Sequence, residues 1–212
     1  MRRLLCTLLL LSTFLFLQTS AFSGDFTESV LDRAVRSLVA LTNQEGKIFC
    51  SGFVIHPDKD YIQTALHCIT ESEHLDWEIN VDGKPSKLVF VSRLYDLAVL
   101  QSPTSKPHLL PTTKATVQGM MLTGLGHGLG LKKVLFAPTR VRVPLHQQRF
   151  VIVDEAFTSG MSGGPVIDEE GKVVSIVQKG YRVLPNGDPS RNIDYGVAVG
   201  IMLAAEGKFW KR

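Results

Sequence analysis

The residues of this chain with the clearest chemical use lie in the run TSGMSGGP, positions 158 to 165. Gly160, Ser162 and Gly164 fit the pattern G-x-S-x-G, which sets a serine on a tight strand-to-helix elbow. Gly, Ser and Pro are equally the ordinary residues of turns, because they tolerate or pre-set unusual backbone angles. The fragment by itself is open to three readings: a plain turn, a serine on an elbow, or a serine served by a base from elsewhere in the chain. A serine hydroxyl is a weak nucleophile near neutral pH. It needs a base within hydrogen-bond reach, and the base needs a third group to hold its tautomer.

The histidines are His56, His67, His74, His108, His127 and His146, and all precede Ser162. The elbow of the α/β-hydrolases requires the order serine, acid, histidine, so that reading has no base to use. A subtilisin-like order needs an acid well before the histidine, and Asp58 and Asp60 are too close to His67 to come from a separate strand end. The order histidine, acid, serine stays open. His67 follows the strand-like DYIQTAL and adjoins Cys68. Asp96 opens the apolar run LAVL, where a carboxylate must be paired or hydrogen-bonded. On its own it could equally cap a turn. His127, in TGLGHGLG, reads as a loop residue.

The N-terminus reads MRRLLCTLLLLSTFLFLQTSAFSG: two arginines, an apolar run from Leu4 to Leu17, then small and polar residues. That is the layout of a secretory signal peptide. The run is short of the roughly 20 apolar residues of a membrane span. Ala21 and Ser23 suit the small-residue positions before a cut, so residues 1–23 are expected to be removed, and the mature chain to be secreted or periplasmic rather than held by an uncleaved anchor. Cys6 leaves with that segment. Cys50 and Cys68 remain, and in an exported chain they are expected to pair. Their spacing lacks the C-x-x-C unit of a cysteine metal site, and neither metal nor cofactor is implied. Of the 23 basic residues, Arg2 and Arg3 lie in the leader, which leaves 21 against 20 acidic ones. Such a balance offers no attraction to nucleic acid, nor to an anionic membrane after signal removal. No feature specifies an oligomeric state.

Positioning these groups falls to short strands. DFTESVLDRAVRSL has helical spacing, with Thr27 as its expected cap. SLVALTN, KIFCSGFVI, DYIQTAL, WEINV, KLVFVS and DLAVLQ are rich in β-branched and aromatic residues, with turns NQEG, HPDKD and VDGKPS between them. After SPTSKPHLLPTTK, with its three prolines, come ATVQGMMLTG, KKVLFAPTRVRV, RFVIVDE, PVIDEEGKVVSIVQ and YGVAVGIM. LAAEGKFWKR reads as a short C-terminal helix. Many short strands and few helices argue for an all-β barrel or sandwich, and two sets joined by a proline-rich link argue for two barrels, over 24–105 and 106–212.

SGFVIHPDKDYIQTALHCIT, YDLAVLQ and DEAFTSGMSGGPVID resemble, in order and spacing, the three signature regions of chymotrypsin-like (trypsin-fold) serine peptidases. Compact bacterial-type members, including the protease domain of periplasmic stress proteases, are most similar, and the likeness runs over roughly residues 28 to 200. It implies two six-stranded antiparallel β-barrels, with His67 as base and then acid, Asp96 as its orienting partner and Ser162 as nucleophile on a protein or peptide substrate. It implies an oxyanion hole from the N–H groups of Gly160 and Ser162. Gly160 suits a loop that must aim two N–H groups at one point. It places Ala156 at the base of the specificity pocket, Gly180 and Gly196 on its walls, and Gln178, Lys179 and Gly180 beside the substrate as an added strand. With no charge at Ala156, an apolar or medium-sized side chain is expected before the cut. Lys179 departs from the apolar or aromatic residue usual there. Met161 stands where many animal members carry an aspartate that pairs with a newly cut N-terminus, so no activation of that kind is expected. The resulting expectation is an exported serine endopeptidase. The competing readings are a catalytically silent, protein-binding relative, disfavoured because all three residues are present, and an esterase of another fold, disfavoured by the absence of any histidine after Ser162.

Overall fold

The computed structural model describes residues 26–70, 79–146, 150–153, 157–183 and 193–199. The segments read as signal peptide and as C-terminal helix lie outside the described residues. Helix α1 (Glu28–Ser37) forms where Val30, Leu31, Ala34 and Val35 recur at helical spacing, and this face packs on the first sheet with Ala34 fully buried. Thr27 occupies the N-cap in an extended conformation, but its side chain caps nothing. The helix starts instead on the Thr27 carbonyl, which accepts from the N–H groups of Val30 and Leu31.

Two antiparallel sheets follow, as the strand-rich sequence implies. The first contains β1 (Leu38–Thr42), β2 (Ile48–His56), β3 (Tyr61–Ala65), β4 (Asn80–Val81), β5 (Lys84–Pro85), β6 (Lys87–Ser92) and β7 (Leu97–Gln101), in the order β5-β4-β1-β2-β3-β7-β6. The second contains β8 (Met121–Gly126), β9 (Leu135–His146), β10 (Phe150–Val153), β11 (Pro165–Ile167), β12 (Val173–Val183) and β13 (Ile193–Val199), closed into a barrel in the order β10-β13-β12-β11-β8-β9. This matches the chymotrypsin-like double-barrel fold, with the second sheet the expected closed barrel of six strands and the first a sheet of seven strands rather than a closed barrel of six. Two short elements exceed the expectation. β4 ends the expected strand WEINV, and β5 arises inside VDGKPS, because Asp82 and Gly83 both take positive φ (50° and 78°), the geometry that lets a two-residue turn close a hairpin. A single helical turn, α2 (His67–Thr70), follows β3.

The sheets share a core. Phe53, Ile55, Ile62, Leu97 and Leu100 from the first are fully or almost fully buried in one cluster with Leu125, Ile167 and Ile176 from the second. The proline-bearing link between them is also stitched on both sides: the N–H of Leu109 donates to Val54 O at 3.0 Å and that of Thr112 to Val173 O at 2.8 Å. The one fully buried carboxylate that the turn DEEGK requires, Asp168, accepts from the N–H of Glu170, the N–H of Lys172 and the Thr112 hydroxyl, which satisfies its charge. Among the described residues, no helix is long and apolar enough to cross a membrane.

Candidate active site

His67 opens α2 directly after β3, and Asp96 ends the turn before β7, the neighbour of β3 in the sheet. The pairing Ala65↔Leu97 therefore brings both to the same end of adjacent strands. Asp96 turns its backbone to a left-handed φ of 50°, which a short polar side chain tolerates better than most. Its carboxylate then meets His67 twice. Oδ2 lies 2.6 Å from Nδ1, and Oδ1 accepts the His67 backbone N–H at 2.8 Å. Two contacts fix both the position and the rotation of the carboxylate, and an Nδ1 proton held there leaves Nε2 as the basic nitrogen. The Asp96 carbonyl accepts from Leu66 N at 3.0 Å, closing the turn.

Ser162 comes from the other sheet, on the turn between β10 and β11. Its carbonyl accepts the Ser51 N–H at 2.9 Å and lies 3.7 Å from Cys68 Sγ, the residue after His67. Cys50 and Cys68 form a disulfide with Cα atoms 6.1 Å apart, which ties α2 to β2 beneath the serine turn. The two sulfurs and a ring nitrogen of His67 all lie within 4.8 Å of one another. Joined in a disulfide, the sulfurs are not thiolates, so this trio is no metal centre in the oxidised chain.

The backbone of the turn is strained where only glycine is comfortable. Gly160 has φ +92°, and a Cβ on it would lie 2.5 Å from His127 O. Gly163 has φ +82°, and a Cβ there would meet Thr64 Oγ1 and the Ser51 carbonyl oxygen at 2.2 and 2.3 Å. Met161 N–H donates to Thr158 O, Gly163 N–H to Val177 O and Gly164 N–H to Met161 O. The N–H groups of Gly160 and Ser162, in contrast, have no partner among the described residues.

A family model described as a trypsin-like peptidase domain matches residues 50–176. The chain belongs to this family. Solved structures agree on the fold. The chain superposes on a serine endoprotease from Yersinia pestis with a TM-score of 0.69 at 21% identity, covering 89% of this chain and 68% of that one. The active form of the Rv3671c protease from M. tuberculosis gives 0.66 at 20% identity, covering 86% and 85%. The chain is thus a serine-type endopeptidase of the trypsin-like family.

In this peptidase the remaining expected site residues fall unevenly. Gly180 and Gly196 are direct partners across β12 and β13, so the two glycines expected on the pocket walls face each other in one ladder. The register slips between Val177 and Gly180, which puts Gln178 and Lys179 at an irregular step of β12. The Gln178 side chain is not free to meet a substrate. It is buried, and its amide nitrogen donates to the carbonyls of Tyr95 and Asp96, the latter at 3.2 Å. Gln178 thereby braces the turn that carries Asp96. Ala156 lies outside the described residues.

Ser51 was missed by reasoning from motifs. Its hydroxyl donates to Gly160 O at 2.8 Å and accepts the His127 N–H at 2.7 Å, and its own carbonyl accepts from Thr64 Oγ1 at 2.7 Å. It is fully buried and locks the serine turn to β2. Its place directly after Cys50 was the only available hint. Met161 is buried under the turn rather than exposed to an ionic partner. His127 is also buried. Desolvation pushes its pKa below the ordinary histidine value, against the opposing pull of the Leu131 carbonyl, 3.2 Å from Nδ1.

Proposed function

We propose that this chain is an exported serine endopeptidase that cleaves protein or peptide substrates through His67, Asp96 and Ser162. The observation that carries the reading is the double contact of Asp96 on His67, through Nδ1 and the backbone N–H. That arrangement suits an Nε2 that takes and returns a proton. His67 Nε2 removes the proton from Ser162 Oγ as the oxygen attacks the scissile carbonyl, and the Asp96 carboxylate stabilises the imidazolium that forms. The tetrahedral oxyanion collects the free N–H groups of Gly160 and Ser162. Nε2 then protonates the leaving amine, leaving an acyl-enzyme on Ser162. A water, deprotonated by the same nitrogen, hydrolyses the ester and restores the serine. Among the described residues, no hydrogen bond joins His67 Nε2 to Ser162 Oγ; it closes when substrate enters, as catalytic hydrogen bonds in free enzymes often do.

The substrate chain adds a strand along Gln178–Gly180 through backbone groups, with the residue before the cut lodged in a pocket that Gly180 and Gly196 line and Ala156 floors. An apolar or medium-sized side chain fits walls of this kind. The disulfide is consistent with maturation in an oxidising compartment after removal of residues 1–23.

Labelling of the purified mature chain with a fluorophosphonate tests the reading. Wild type is expected to label at Ser162, with Ser162→Ala and His67→Ala blank. A folded wild type that does not label would overturn the catalytic assignment and leave a protein-binding module on the same scaffold.

A further inference from the structure

A cavity of about 500 Å³ lies between α1, β1, the β1–β2 and β4–β5 turns and the segment that follows β8. We propose that it binds a carboxylate carried on an apolar stem, and that its occupancy tunes the serine turn. The second half rests on the peptidase reading above; the first half does not.

The lining chooses the ligand. Val35, Leu38, Ile48 and Val134 make apolar walls. Lys106 and Lys132 supply two positive charges, against a single acid, Asp82. That acid is already engaged: one oxygen pairs with Lys106 Nζ at 2.7 Å and the other accepts the Ala40 N–H at 2.9 Å. Lys106 also donates to the Leu38 carbonyl. Lys132 is exposed at the edge of the cavity and has no acidic partner among the described residues. Thr42 also belongs to the lining, although its hydroxyl oxygen is closed off from the cavity. The net charge of the lining is positive, and the volume far exceeds a bare inorganic anion. A carboxylate on an apolar chain neutralises Lys132 and fills the walls.

The coupling runs through His127, which forms part of the lining. Its N–H holds the Ser51 hydroxyl, which holds Gly160 O. Two residues on, the Leu129 N–H donates to Ser159 O at 2.6 Å, from a backbone with φ +59° that a leucine rarely adopts. Gly160 leans on the His127 carbonyl so closely that no Cβ would fit. A ligand that shifts His127 therefore shifts one of the two N–H groups proposed for the oxyanion.

The probe is hexanoate, with hexanamide as its uncharged twin, titrated into isotope-labelled full-length mature chain and followed by NMR. Hexanoate is expected to move the signals of Val35, Val134 and His127 with a Kd of about 1 mM. Hexanamide, and hexanoate with Lys132→Gln, are expected to bind about tenfold more weakly. Two acetylated dipeptides, one ending in a free leucine carboxylate and one amidated with a glutamate side chain, distinguish a chain terminus from an acidic side chain as the source. In parallel, the rate of fluorophosphonate labelling of Ser162 is expected to change at least about twofold with hexanoate in wild type and not in Lys132→Gln. Absence of shifts at these residues, or equal binding of acid and amide, overturns the site. Binding without any change in labelling rate overturns the coupling. A chain that never labels, yet binds hexanoate at these residues, refutes the peptidase reading and retains the site.

Discussion

The two halves of the proposed active site are held in different ways. The first sheet presents His67 and Asp96 on neighbouring strand ends, and the pair completes itself: the carboxylate binds the ring and the backbone of its own partner. The serine turn of the second barrel makes its own backbone bonds through Met161, Gly163 and Gly164, yet also leans on other segments. Its shape depends on Ser51 and Thr64 from the first sheet and on His127 from the loop after β8. The histidine–acid contact is thus made in place, with one brace from Gln178 on the Asp96 turn, whereas the nucleophilic half adds outside contacts to its own backbone bonds. Outside contacts can be altered without touching the histidine and its acid, which is what makes the serine turn the adjustable partner.

The largest effect belongs to the histidine–acid half. Asp96→Asn keeps the shape but offers His67 an amide in place of one carboxylate oxygen. A donor facing Nδ1 selects the wrong tautomer, and kcat is expected to fall about 10⁴-fold with little change in KM. Unfolding by urea should barely move. A fall in kcat below about tenfold would show that Asp96 only closes its turn.

Gly163→Ala acts on the other half and is expected to show first in stability. Its Cβ would press into the Ser51 carbonyl oxygen and the Thr64 hydroxyl at a φ that alanine resists. A loss of about 3 kcal/mol is expected from the urea midpoint, together with loss of labelling. Full stability in this variant would mean the serine turn is looser than its contacts imply.

Ser51→Ala probes the outside contact itself. It removes one hydroxyl and leaves the Gly160 carbonyl and the His127 N–H without their partner in a buried place. The expected cost is about 1–3 kcal/mol in stability, with a kcat lowered about tenfold at an almost constant KM. Equal loss in Ser51→Ala and Ser51→Thr would point to packing, whereas rescue by threonine would point to the hydrogen bonds.

The same contrast explains what the sequence made legible. His67, Asp96 and Ser162 stand out because each residue type is placed at the end of a readable strand or in a glycine-rich turn, and their order along the chain excludes the other arrangements. The strands themselves follow from β-branched runs and turn residues. Ser51 and Gln178 do not stand out, because their importance lies in bonds to residues 109 and 82 positions away. Such partners exist only once two sheets are packed, and no local pattern records them. Gln178 is expected beside the substrate through its backbone, and the brace of its side chain on the Asp96 turn is a separate role which that expectation does not include. Strand β5 is hidden for a different reason: a strand of two residues carries no alternation, and only the Asp82-Gly83 turn betrays it.

The smallest effect concerns pH and the loop that holds the serine turn. Burial lowers the pKa of His127, so the folded chain holds its ring neutral more strongly than the unfolded chain does. Between the two pKa values the unfolded chain binds more protons, so stability falls as pH drops. The contribution is intact above the ordinary histidine value, about 6.5, and is lost progressively below it. The charges that act on the ring are Asp82, which favours the proton, and Lys106, which opposes it. Wild type alone does not isolate this contribution from the rest of the protein. The difference between wild type and His127→Gln does. Urea midpoints at pH 7.5, 6.5 and 5.5 are expected to converge as pH falls, because glutamine has no proton to gain and wild type loses the advantage of its neutral ring. Parallel curves would mean that the ring reaches water when charged, and that the loop yields more readily than its hydrogen bonds to Ser51 and Ser159 suggest.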